Sequence, residues 1–315
     1  MSTLLSPLRG VVVATLLGAA TSAGCADCSK GGGAEAAPDA ASAPPAVDAE
    51  AREAGVINVT PVPTAAVMDM LNPEKLPPYA GPTGSVEGTI TVTGDHPFPA
   101  TGDFSKCLDA EKAWGRAFRE GPPVGDKGAR ALADAVVVVT GYHGFFVPEK
   151  AEAKEVRIEG CAYTSLTATM TFGQRIEVKN LSTTFWTPML EPGANLVMMM
   201  ATPNGDPAKI YPKKPGHYLL MDRDRKYAVV DVYTFLHPLH ASTDLLGHYR
   251  IDGLPVGKLK VSTMHPRIGT TAESELVVQA GVVAKVDLNL KNVNKDAGAP
   301  LEAGADSGVF HPVLH

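Results

Sequence analysis

Four side chains late in the chain have the types and spacing of a metal site: His237, His240, Asp244 and His248. A His-x-x-His pair with a nearby carboxylate can hold Zn²⁺ or Cu²⁺. In extended backbone, residues three apart point to opposite faces, so the pair converges only if a turn begins at Pro238. Met189 and the run Met198-Met199-Met200 offer thioethers, soft ligands suited to Cu(I). Three consecutive strand residues cannot share one face, which favours core packing or an apolar interface for that run. His265, followed by Pro266, reads as a strand end, and His96, His143 and His217 read as loop residues.

The chain has four cysteines: Cys25, Cys28, Cys107 and Cys161. The last two are expected to form a disulfide, closing a loop of about 55 residues worth on the order of 4 kcal/mol. Cys25-x-x-Cys28 is followed by Ser29, so it is no haem-attachment site, and its flexible surroundings argue against zinc. No Gly-x-Ser-x-Gly elbow, His-Glu-x-x-His helix or phosphate loop is present. The residues therefore predict a protein that is not an enzyme. A net charge of −6, without a basic patch, gives no reason to expect nucleic acid as a partner.

The elements that would position these residues are mostly strands. Val86–Val92 alternates with a period of two, and Ala135–Val139 is a continuous apolar run, as in a strand buried on both faces. Further strands are expected at Glu155–Glu159, Thr167–Phe172, Arg175–Asn180, Tyr218–Leu220 and Val229–Phe235. Gly247–Ile251, Lys258–Thr263, Ala272–Val278 and Val283–Leu290 complete the set. One helical stripe, with Cys107, Ala110, Trp114, Ala117 and Phe118, spans Cys107–Glu120. Many strands between Gly/Pro turns describe an all-β sandwich fold.

The ends read differently. Arg9 precedes an apolar run, Val11–Ala20, of signal-peptide length and too short to span a membrane. Small residues then lead to Cys25, which resembles a bacterial lipobox, although Ser22 stands where Leu is usual. The expectation is a signal peptide over 1–25 with lipidation at Cys25, the alternative being plain cleavage to a soluble protein. Residues 26–82, rich in Ala, Pro and Gly, read as a disordered linker, and 292–315 as a disordered tail. The chain is thus expected on the periplasmic or cell-surface side of a bacterial envelope, held to the membrane through a lipid anchor.

Several motifs follow one another in order: Gly88-Thr89-Ile90, Ala133-Asp134-Ala135-Val136-Val137, Glu159-Gly160-Cys161-Ala162-Tyr163, and Gly173-Gln174-x-Ile176-x-Val178-x-Asn180. His237-Pro238-x-x-Ala241-x-Thr243-Asp244 and Gly247-His248-Tyr249-Arg250-Ile251-Asp252-Gly253-Leu254-Pro255-x-Gly257 complete the series. This order resembles periplasmic proteins of a methylamine-utilisation-like or plastocyanin-like group. The resemblance implies a cupredoxin-like β-sandwich over 83–236 and a carboxypeptidase-regulatory-like β element over 237–291. It also implies a blue-copper site, at positions held here by Trp186, Asp222, Arg225 and Ala228 where the family carries His, Cys, His and Met. Such a site needs two imidazoles, a thiolate and a weak axial sulfur, so no type 1 copper and no other cofactor is expected.

Two readings of the altered site stand side by side. In one, Trp186 fills the space of the lost imidazole while Arg225 lies on the indole and pairs with Asp222. In the other, residues 222–226 form a solvated charged loop. For the whole chain, the leading expectation is a binding or structural scaffold in the cell envelope with a protein or glycan partner. The alternatives are copper or zinc binding through His237, His240 and His248, and a carbohydrate-binding or enzyme-accessory sandwich using Phe185 and Trp186.

Overall fold

The computed structural model describes residues 59–294, apart from 101, 106, 126 and 194–198. The expected signal peptide, Cys25, Cys28, the first part of the linker and the tail beyond 294 lie outside the described residues.

Over the described residues the chain is all-β with two short helices. It opens with α1 (Thr64–Leu71), β1 (Thr83–Gly94), α2 (Leu108–Trp114), β2 (Glu120–Val124), β3 (Ala129–Leu132) and β4 (Val136–Thr140). A middle block follows: β5 (Ala153–Glu159), β6 (Ala162–Tyr163), β7 (Thr167–Thr171), β8 (Arg175–Asn180), β9 (Pro188–Glu191), β10 (Ala208–Ile210), β11 (Gly216–Asp222) and β12 (Val229–Phe235). The last block is β13 (His240–Ser242), β14 (His248–Pro255), β15 (Gly257–His265), β16 (Ile268–Val278), β17 (Val283–Lys285) and β18 (Leu288–Asn292).

Two sandwiches result, each with its own core. In the first, a sheet ordered β14-β1-β3-β2, with β17 and β18 also paired to β1, faces a sheet ordered β13-β4-β15-β16. Its core includes Val86, Ile90, Val137, Val139, Ile251, Val261 and Leu290. In the second, β10-β8-β5-β6 faces β7-β12-β11-β9 around Ile158, Met170, Ile176, Val178, Leu220 and Val232. The pairing does not divide the chain at 236/237. Residues 240–292 build their sheets with 83–140, through β14 on β1 and β15 on β4, and the second sandwich is inserted between these two halves.

The continuous apolar run of β4 explains how the two bodies join. Val137 and Val139 enter the first core, while Val136 and Val138 turn outward to meet Phe235, Tyr233 and Met264. The strand is buried on both faces, as its composition predicts.

Three expectations are corrected. Residues 59–82 of the expected disordered linker carry α1 and an extended strap. In the strap Tyr79 N–H donates to Phe146 O at 2.7 Å and Phe146 N–H to Pro77 O at 2.9 Å. The helix expected over Cys107–Glu120 stops at Trp114, with Gly115 as its cap. The helical stripe misleads because Trp114 packs toward the second core while Phe118 is buried in the first. The strand expected over Val283–Leu290 is two strands, broken where Asp287 Oδ1 accepts the Thr89 amide at 2.7 Å. Gly88 is required beside that break, since a Cβ there would lie 1.8 Å from Val286 O.

Candidate functional site

The four positions implied as a degenerate copper site are brought together where β8 and β11 end. Asn180, the last residue of β8, shapes the first loop. Its amide donates to Thr184 O and Ala201 O, both at 2.8 Å, and its carbonyl accepts from Ser182 N–H at 2.9 Å and Ser182 Oγ at 2.6 Å. Trp186 and Ala201 exchange backbone hydrogen bonds at 3.2 and 2.9 Å, which fixes the indole pointing into the second core, fully buried.

Asp222 ends β11 and organises the second loop. Its N–H donates to Ala228 O at 3.1 Å, and Ala228 N–H donates to Arg225 O at 2.8 Å. The buried carboxylate accepts from Asp224 N–H at 3.1 Å, Arg225 N–H at 2.8 Å and Thr187 N–H at 2.7 Å. Arg225 completes the set through Nη1, 3.3 Å from Asp222 Oδ1. The guanidinium also donates to Phe185 O at 3.2 Å and Thr184 Oγ1 at 3.1 Å, and its Cζ sits 4.3 Å from the Trp186 ring centroid. Of the residues in the charged run 222–226, Arg223, Asp224 and Lys226 are exposed, whereas Asp222 and Arg225 are committed to the plug.

This arrangement does not fit a copper ion. An indole cannot ligate, Arg225 brings a positive charge, and the Asp222 oxygens are already engaged by four donors. Around the plug, Tyr163 lies edge-on to Trp186 at 5.3 Å, and Trp114 packs on Tyr163 at 6.2 Å and on Tyr227 at 5.6 Å. Burial, with Asp222 adding to it, pushes the Tyr163 phenol well above its ordinary pKa. The expected Cys107–Cys161 disulfide is formed and pins α2 to β6, so that Trp114 Nε1 reaches Val229 O at 2.9 Å. The sequence reading missed Tyr163 and Trp114 as members of the cluster. Their signals were present, one in the Gly-Cys-Ala-Tyr motif and one on the helical stripe.

The second candidate set is not assembled. Among the described residues no three His, Cys, Asp or Glu side chains are grouped to hold a metal ion. Asp244 is used in a turn, accepting from Leu246 N–H at 2.8 Å and His248 N–H at 2.9 Å. His237 and His240 lie together at the junction of the sandwiches, with ring centroids 6.5 Å apart. Thr171 Oγ1 donates to Glu149 Oε2 at 2.6 Å, which leaves it to accept from His240 Nε2 at 3.2 Å. His240 therefore carries its proton on Nε2, and its buried Nδ1 has no partner among the described residues. His237 Nδ1 accepts the Leu239 amide at 3.2 Å, so its free nitrogen is the protonated one and is no ligand as it stands. Burial lowers His237 to about 4 and His240 to about 3.

Other candidates disperse. His265 does end its strand, but His217 lies within β11, where its Nε2 meets Asp231 at 2.8 Å. Met189 is half-buried on β9, Met199 packs against the second core, Met200 is exposed, and Met198 is outside the described residues. Trp186 is buried, which removes it from the glycan platform suggested with Phe185. A small, mostly apolar cavity of about 30 Å³ at the junction is lined by Val136, Val138, Tyr233, Phe235, Ser262, Thr263 and Met264.

No family model matches the chain, and no curated protein is similar to it at a meaningful level. Among solved structures it is similar to amicyanin from Paracoccus versutus, with 17% identity over 27% of this chain and 84% of that one and a TM-score of 0.24. It is also similar to auracyanin B, with 11% identity over 32% of this chain and 99% of that one and a TM-score of 0.22. The similarity to these cupredoxins is weak and covers a small part of the chain, so the functional reading rests on the side chains themselves.

Proposed function

We propose that the chain is an exported, lipid-anchored and non-enzymatic scaffold of the cell envelope, in which a cupredoxin-like site has been closed by a cation–π and ion-pair plug. One observation carries this reading: Trp186, Asp222, Arg225 and Ala228 meet in one cluster, with Arg225 over the indole and paired to Asp222, whose N–H bonds Ala228 O. Where the resembling family places a copper ion, this chain places a guanidinium, fixed by hydrogen bonds. The apolar run Val11–Ala20 and Cys25 support export and anchoring. With that site closed, surfaces remain for binding a protein or glycan.

The test is metal content with a visible spectrum, on protein purified without chelator and then offered copper. A colourless, copper-free protein is expected. Restoring the family pattern with Trp186→His, Asp222→Cys, Arg225→His and Ala228→Met together is expected to produce a blue copper-binding variant. Stoichiometric blue copper in the unaltered chain would overturn the proposal. Colourless metal at near one per chain would move the function to His237 and His240.

A further inference from the structure

Val136 and Val138 turn away from the first core, and with Tyr233, Phe235 and Met264 they line the cavity at the junction. Tyr233, Ser262 and Met264 are only half-buried, so the cavity meets the surface on their side. The lining decides what could enter. Thr263 Oγ1 already donates to Val136 O at 2.9 Å, and a charged occupant would lose water there without compensation. The volume of about 30 Å³ is also far below the roughly 300 Å³ of a small-molecule site. What fits is the tip of one branched aliphatic side chain.

The chain itself carries such side chains within reach. Beyond the last described residue, Asn294, the stretch 295–308 is Ala, Gly and acidic residues with a single large apolar side chain, Leu301. Val309-Phe310-His311-Pro312-Val313-Leu314 then follows, four of its six residues large and apolar. The exit from the fold lies near the cavity. Thr270 Oγ1 donates to Lys291 O at 3.0 Å and accepts from Lys291 N–H at 3.2 Å, and the next residue, Thr271, pairs with Met264 of the lining. Asn294 is therefore at most roughly 25 Å from Met264 along that path. A flexible linker of the length of 295–308 has a relaxed end-to-end distance of roughly 20 Å. A tether whose relaxed length matches the span gives the highest local concentration, in the millimolar range, which holds even a weakly binding segment in place.

We propose that residues 309–314 dock on this cavity within the same chain, seating one aliphatic tip against Val136, Val138 and Met264 and covering the apolar joint of the two sandwiches. The proposal stands apart from the closed site and from export.

Methionine methyl groups report on it. In protein labelled with ¹³C-methyl methionine, Met264→Leu identifies the Met264 signal, and Met170, fully buried in the second core, is the control for an intact fold. A chain ending at Asn294 is expected to shift the Met264 signal and leave Met170 in place. A peptide of residues 305–315 should return the shifted signal toward its full-length position with a Kd on the order of 1 mM. The full chain should respond to that peptide several-fold more weakly. Val309→Ser, Val313→Ser and Leu314→Ser together, in the full chain, should reproduce the truncated spectrum. A Met264 signal identical in the full and shortened chains, or one that the peptide leaves unmoved, would overturn the proposal. So would a full-chain Met264 position that changes with protein concentration, which would place the segment of a second copy in the cavity.

Discussion

At the scale of single residues, Asp222 is the keystone. Four donors converge on a carboxylate that water does not reach. Asp222→Ala is expected to destabilise the protein by about 3 kcal/mol, because two loops lose their common acceptor and Arg225 loses its counter-charge. Arg225→Ala should cost less, about 1–2 kcal/mol, since that side chain is partly exposed. Arg225→Lys should not recover the loss, because an ammonium lacks the planar fork that reaches Asp222, Phe185 and Thr184 together. Urea unfolding of the three variants checks the order. Of this cluster, the sequence made the ligand replacements visible through the spacing from Asn180 and back from His237. It could not decide between plug and solvated loop, because Asp222-Arg223-Asp224-Arg225-Lys226 looks uniformly polar. Only the loop closure between Asp222 and Ala228 turns two of those five residues inward.

At the scale of elements, strands with one buried face were legible from alternation, and β4 from its unbroken valines. The short strands β2, β9 and β10 were not, since three to five residues containing proline or flanked by it carry no measurable period. The helix α2 was overextended because a stripe shows that residues are apolar but not which core receives them. That helix buries only Ala110 and Ala113 along its length and depends on its disulfide and on Trp114. Replacing Cys107 and Cys161 together with alanine is expected to cost about 2–4 kcal/mol. Hydrogen exchange in α2 should rise before exchange in β5 and β8. Equal protection across all three elements would show that α2 is held by packing alone.

At the scale of the whole molecule, the joint between the sandwiches collects buried histidines. His265 is lowered to about 4 by burial, and Arg267 lowers it further, while Asp134 and Asp231 oppose that shift. His237 and His240 are lowered in the same direction. An unfolded imidazole titrates near 6.5, so the stability these groups contribute is fully present above that pH and is lost as pH falls toward 4. For His265 this is on the order of 3 kcal/mol. The denaturation midpoint is expected to drop between pH 6.5 and 4, and His265→Leu should flatten that slope. An unchanged slope in the variant would place the acid sensitivity elsewhere.

The insertion of one sandwich into the other also sets an order of events in time. β1 must find β17 and β18, nearly two hundred residues later, as the Thr89–Asp287 bond spans 198 positions. The inserted block closes on itself over a much shorter stretch of chain. Because closing long loops is slow, the middle block is expected to collapse first and to bring its two flanks near each other. Until then the leading strands wait with open edges and are prone to sticking to other chains. A change that destabilises the inserted body, even one far from the first sandwich, is therefore expected to slow refolding of the whole and to raise aggregation losses.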